Sequence, residues 1–245
     1  MTDSQEKIQK LAEILAGSWS RSDFKDDRVK ITGLVKSDVV KITLSEIEQL
    51  AGLLKSSNPK VRYGTIKVLG LFGKHANPFV NDFTKDFFKY DGEQQRGILE
   101  ALHLIGTKDV LLEYGKLLDE MQQPIQSFYK LVFFVSEFMR DYPLEGLTII
   151  SKISKFERIW EMYKITIQEV LLKESLAEDQ PEHLIYRPPP IGMSQEQERR
   201  RVEYGITKMN IQTAIKTVFE QEKSKDKATK KEAKKILKKL KKAIL

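Results

Sequence analysis

A chain of 245 residues, 40% hydrophobic and 31% charged, is long enough for one extended helical array or two small domains, and too apolar for wholesale disorder. It has no cysteine, which excludes disulfides and thiolate metal sites and fits a reducing compartment. The net charge of +7 is uneven: residues 223–245 hold eleven lysines against Asp226 and Glu232, a net +9, so the first 222 residues carry −2.

A first helix is expected from Ser4 to about Ala16, on Ile8, Leu11, Ile14 and Leu15, with Gly17 as its stop. Met1-Thr2-Asp3-Ser4 has no basic start leading into an apolar stretch, so no signal peptide is expected. The apolar run at 131–135 is far too short to cross a bilayer, and the expectation is a soluble, cytoplasmic protein. Between residues 18 and 42, Val29, Ile31, Val35, Val39 and Ile42 suit either strands or a short helix with an extended connector. The helical flanks favour the second.

From residue 43 the punctuation is clearer. Thr43-Leu44-Ser45-Glu46 has the form of a capping box, and Leu50, Leu53 and Leu54 follow as an apolar stripe. Asn58-Pro59 ends that helix and starts another, with asparagine as N-cap and proline where a missing N–H costs nothing. Val61, Thr65, Val68, Leu69 and Phe72 continue at helical spacing to Gly73, making residues 43–73 one hairpin. A second hairpin is expected to start at Asn77-Pro78, with Phe79, Phe83, Phe87 and Phe88 on its first helix. Tyr90-Asp91-Gly92 is its turn, and Ile98, Leu99, Leu102 and Ile105 line its second helix. A third uses Val110, Leu111, Tyr114, Leu117 and Leu118, then Gln123-Pro124, then Phe128, Leu131, Val132, Val135 and Phe138. A degenerate fourth runs from Pro143 to about Leu176 on Leu147, Ile150, Ile153, Ile159, Met162, Ile165 and Val170.

The phrase 68–73 returns 33 residues later as 101–106, with Leu69, Leu71 and Gly73 falling on Leu102, Leu104 and Gly106. Such a period marks stacked helical hairpins. Residues 46–73, with the leucines of the first helix, Asn58-Pro59 at the turn, Val61-Arg62, and Leu69-Gly70 with Gly73, resemble a HEAT repeat. The resemblance covers residues 43–176, most strongly in the first unit. Arg96 lies one place out of register with Arg62, and the third unit has Gln126 in that region, so a regular arginine ladder is not implied. The resemblance implies an all-α fold: a right-handed α-solenoid of HEAT-like helical hairpins, of the armadillo-like class, with a C-terminal helical extension. Such a surface holds other molecules, and implies a non-enzymatic protein-binding scaffold or assembly subunit.

Residues 177–193 form a Pro-rich linker, in which Pro188, Pro189 and Pro190 favour polyproline II geometry. Ser194-Gln195-Glu196-Gln197 resembles a capping box opening a helix over 194–222, striped by Val202, Ile206, Met209, Thr213 and Val218. Residues 224–229 look flexible. Within the tail, 223–245, Ala233, Ile236, Leu237, Leu240 and Ile244 recur at helical spacing among the lysines. This stripe can lie on the solenoid, on an acidic partner or on anionic lipid. Nucleic acid would also be attracted, through phosphates rather than bases, because the tail has no aromatic residues. The expected partner-binding residues are Lys230, Lys231, Lys234, Lys235, Ile236, Leu237, Lys238, Lys239, Leu240, Lys241 and Lys242.

No catalytic, cofactor or metal site is expected. His75, His103 and His183 are scattered, and 70–74 lacks phosphate-loop spacing. Asp23, Asp26 and Asp27 lack the ligand spacing of a calcium loop. Arg199-Arg200-Arg201, preceded by Glu196 and Glu198, reads as a mixed-charge helix face, and Trp19 and Trp160 read as core.

Overall fold

The computed structural model describes residues 43–176 and 194–244; the expectations for 1–42 and for the Pro-rich segment 177–193 lie outside the described residues. The fold is all-helical, with ten α-helices and no strand among the described residues. It divides into two compact units, with the boundary between Glu113 and Tyr114.

The first unit opens with α1 (Leu44–Gly52), capped as the sequence predicts: the Glu46 N–H donates to Thr43 Oγ1, and the Thr43 N–H donates to the Glu46 carboxylate at 2.7 Å. A 3-10 turn follows, and then α2 (Pro59–Leu71), whose N-cap is Asn58. Arg62 reaches back along the hairpin and donates from Nη1 to the carbonyls of Ser56 and Ser57, at 2.7 and 3.1 Å. It thereby satisfies acceptors that the end of a helix leaves open. Arg96 instead pairs with Glu100 on its own helix, so the two arginines do different work.

The second hairpin departs from expectation. Pro78 starts no helix but sits inside a 3-10 stretch, Gly73–Phe79. Only the five residues of α3 (Val80–Thr84) are α-helical before another 3-10 turn, Phe87–Lys89. Two of the phenylalanines expected along this helix, Phe83 and Phe87, are still fully buried, while Phe88 is exposed. Helix α4 (Gly92–Ile105) begins at a capping box of Asp91 and Gln94. The buried Gln95 side chain donates to the carbonyls of Tyr90 and Phe87, so the broken segment is tied to α4.

Helix α2 packs along α4 with their backbones almost touching. A Cβ at Gly70 would lie 2.7 Å from the Ala101 Cα. Leu69 and Leu102 are fully buried. The two hairpins close on the same device: Gly73 and Gly106, 33 residues apart, both take the left-handed backbone, φ 56° and 68°. That conformation stops a helix at little cost only for glycine. Beyond Gly106, Thr107 Oγ1 donates to Asn77 Oδ1, and Asn77 Nδ2 donates to the Asp109 carboxylate at 2.7 Å. Asp109 lies in the first turn of the next helix, α5 (Lys108–Glu120), and the unit boundary falls inside it.

The second unit takes in the rest of α5, then α6 (Phe128–Phe138), α7 (Pro143–Ile150), a 3-10 turn Ser151–Lys155, α8 (Glu157–Leu176), α9 (Gln195–Glu222) and α10 (Lys227–Ile244). Lys152 and Lys155 on the 3-10 turn donate to the carbonyls of Gly115, Leu118 and Asp119, placing cations at the C-terminal end of α5. Helix α9 is the centre of the unit, packed against α6, α7, α8 and α10. Its capping box, Ser194 with Gln197, is as expected. Its buried stripe is only partly as expected: of the residues read as that stripe, Val218 is buried. Thr207, Ile211, Ala214, Ile215 and Val218 face inward, whereas Val202, Met209 and Thr213 are exposed. With helices on several sides, α9 buries a face turned away from the expected one, on which Ile211, Ile215 and Val218 are the large apolar residues beside Ala214 and Thr207. Met162 and Ile165, expected in the core of the fourth hairpin, are also exposed, Ile165 by 56%.

Candidate binding surfaces

The lysine-rich segment is a docked helix. Residues 224–229, expected to be flexible, hold its start: the Thr229 N–H donates to Asp226 Oδ2 at 2.8 Å and the Ala228 N–H to Asp226 Oδ1 at 3.4 Å. The hydrogen bond from the Thr229 hydroxyl, followed by these two from the backbone, holds the Asp226 carboxyl below its usual range. Asp226 is an N-cap that a reading focused on lysines overlooks.

Of the eleven residues expected to meet a partner, three do not face outward. Ile236, Leu237 and Leu240 are buried, with Ala233, and α10 packs on α7, α8, α9 and the 3-10 turn. The apolar stripe thus lies on the protein itself, and is taken up by internal packing. Two contacts hold its far end: Trp160 Nε1 donates to the Ala243 carbonyl at 3.1 Å and Gln168 Nε2 to the Ile244 carbonyl at 3.4 Å. Trp160 is buried core, as its sequence reading proposed.

The other eight remain a candidate site. Lys230, Lys231, Lys234, Lys235, Lys238, Lys239, Lys241 and Lys242 are all exposed, and among the described residues none is paired with a carboxylate. At about 100° per residue they fan over roughly half the circumference of the helix, opposite the buried stripe, along about 18 Å of its axis. One carboxylate, Glu232, is exposed among them. Docking fixes the direction in which this charge points, which a loose tail would not do.

A second feature lies in the same unit and was not legible in the sequence. Tyr129 and Phe133 of α6, Met162 and Tyr163 of α8, and Arg200, Glu203, Tyr204 and Thr207 of α9 line an open cleft of about 230 Å³. The Tyr163 and Tyr204 rings are 5.5 Å apart, and the Tyr204 hydroxyl donates to the Met162 carbonyl at 2.7 Å. Burial pushes the Tyr163 hydroxyl well above its usual pKa. Glu203 pairs with Lys130 at 2.8 Å, and the Lys130 ammonium stands 4.9 and 4.6 Å from the rings of Phe133 and Phe134. The lining suits packing of a flat or apolar group against aromatic faces, and its one carboxylate is already paired. The available signal was that Tyr129 and Phe133 fall off the apolar stripe of their helix. Arg199 adds a 3.8 Å contact to Glu203, in keeping with a mixed-charge face at 199–201.

Beside this cleft, burial and the Glu203 charge raise the pKa of Glu137, against the pull of Lys130 and Arg140. A carboxyl raised in the folded state holds its proton more tightly there than in the unfolded chain. Its stabilising effect is therefore full below the usual glutamate range, near 4.5, and is lost as the pH rises from there through the folded value. Glu137→Gln is expected to flatten the melting temperature across that window and to raise it slightly at pH 7. Melts at several pH values check this; a variant that melts lower at pH 7 would contradict it.

Among the described residues no group of histidines, aspartates and glutamates is placed to hold a metal ion, and no helix is long and apolar enough to cross a membrane. The chain matches no family model, no curated protein and no solved structure.

Proposed function

We propose that this protein is a non-enzymatic binding scaffold that holds a polyanionic partner on the lysine face of α10. The observation that carries the reading is the exposed row of eight lysines, unpaired with a carboxylate among the described residues, on a helix whose opposite face is buried. Eight like charges on one face repel each other, and an arrangement that concentrates them is relieved by an anion. The HEAT-like solenoid is the scaffold half of the proposal. It is supported by the capped hairpins, by the matching left-handed Gly73 and Gly106, and by the burial of Leu69 and Leu102 at equivalent positions.

Lysine-to-glutamine replacement at Lys230, Lys234, Lys238 and Lys241 is expected to remove most retention of the full chain on an immobilised polyanion at low salt. It should not lower the melting temperature, because these side chains are exposed and losing their charge relieves their mutual repulsion. Elution along a salt gradient, beside a thermal melt, measures both. Unchanged retention by the variant would refute the lysine face as the binding surface.

A further inference from the structure

Resting on that reading, we infer that the partner of the α10 face is duplex DNA, gripped through its phosphates without regard to sequence. Three observations select this polyanion. First, the face is made of lysine. Protein–protein interfaces are depleted in lysine and enriched in arginine and aromatic residues, neither of which occurs on the exposed face of α10. Second, the apolar stripe is buried in the unit, so the helix has no hydrophobic face left to sink into a bilayer. Third, the charge density matches. Eight lysines over about 18 Å give one charge per ~2 Å, close to the one phosphate per ~1.7 Å of a DNA duplex.

The layout of the lysines fits the same ligand. Lys230 and Lys241 stand at one edge of the fan, Lys235 and Lys239 at the other, and Lys231, Lys234, Lys238 and Lys242 lie between. A helix with its side chains is about 10–12 Å across, near the ~12 Å width of the major groove, so the two edges can reach the phosphates on opposite rims. Lysine binds phosphate as a point charge, and the face carries no asparagine or glutamine to read adenine, no arginine fork for guanine and no aromatic ring to stack on an unpaired base. It is therefore suited to a duplex backbone, and is indifferent to sequence.

The test is fluorescence anisotropy of the full chain with two labelled DNA duplexes of unrelated sequence. Polyglutamate and phosphatidylserine vesicles serve as the competing polyanions. The expected result is equal affinity for the two duplexes within about twofold, and weaker binding to polyglutamate and to vesicles. Between about 50 and 200 mM salt, duplex affinity should fall by roughly two orders of magnitude, as release of counterions from at least four phosphates requires. Replacing the edge residues Lys230, Lys235, Lys239 and Lys241 by glutamine should lower duplex affinity at least tenfold, and arginine at the same positions should restore it. If polyglutamate or vesicles bind tightly through these lysines and the duplexes do not, the DNA inference falls and the polyanion reading stands. If none of the three binds, both fall. Duplex binding that survives the glutamine changes, in a variant that melts like the parent, would also overturn the inference.

Discussion

Leu69→Ala and Leu102→Ala should each destabilise the first unit by about 2–5 kcal/mol, the range for a truncated core leucine. Both side chains are fully buried where α2 packs along α4. The upper part of the range is expected. Cavity cost depends on how far the surroundings can collapse, and here Gly70 already brings α2 against the Ala101 backbone. The helices cannot move closer to fill the space, so the cavity stays open and its lining loses contacts. The two leucines occupy the same repeat position, and the double variant should lose most of the unit's cooperative melt, given that a whole domain is stable by only ~5–15 kcal/mol. Chemical denaturation followed by circular dichroism measures each step. Two single variants that melt like the parent would show that the repeat phrase is not a packing motif.

The second large effect concerns α10. Leu240→Ser is expected to cost at least as much as a core leucine-to-alanine change, because it adds a hydroxyl to a fully buried apolar site. Ending the chain before Lys227 should do more. It removes Ala233, Ile236, Leu237 and Leu240 together, and uncovers the faces of α7, α8 and α9 beneath them. The truncated protein should melt at lower temperature and bind hydrophobic dyes. The sequence pattern alone leaves these three large apolar residues free to lie on the protein itself, on a partner or on lipid, and if they were a partner-docking face their loss would be read as lost binding. The structure makes them core, and the expected loss is of folding. The lysine variants keep the two effects apart, since they change charge and leave the core intact. A truncated chain with unchanged melting and no dye binding would return α10 to the status of an appendage.

These cases show what was legible before the structure. Caps are local chemistry, and Thr43 with Glu46, Asn58 with Pro59, and Ser194 with Gln197 act within three or four residues of themselves. They could be read correctly because nothing distant can overrule them cheaply. The repeated phrase was legible for the same reason: Gly73 and Gly106 answer a backbone requirement of their own turns. The second hairpin failed where local signals competed, with Pro78 and the aromatic residues around it yielding a broken 3-10 path in place of a helix.

Sequence by itself determined the all-helical character of the described residues, the ends of most of their helices, the buried leucines of the repeat phrase and the concentration of positive charge at residues 223–245. Those follow from backbone sterics, hydrogen-bond capping and hydrophobic period, all short-range along the chain. Only the tertiary structure decided which face of α9 is inside, that Met162 and Ile165 are outside, and that Tyr129, Phe133, Tyr163 and Tyr204 meet around one cleft. It alone decided that the stripe of α10 is internal and its lysines external. An amphipathic helix states that its apolar face will be covered; what covers it depends on which other faces are brought within reach, and that is a property of the packed unit.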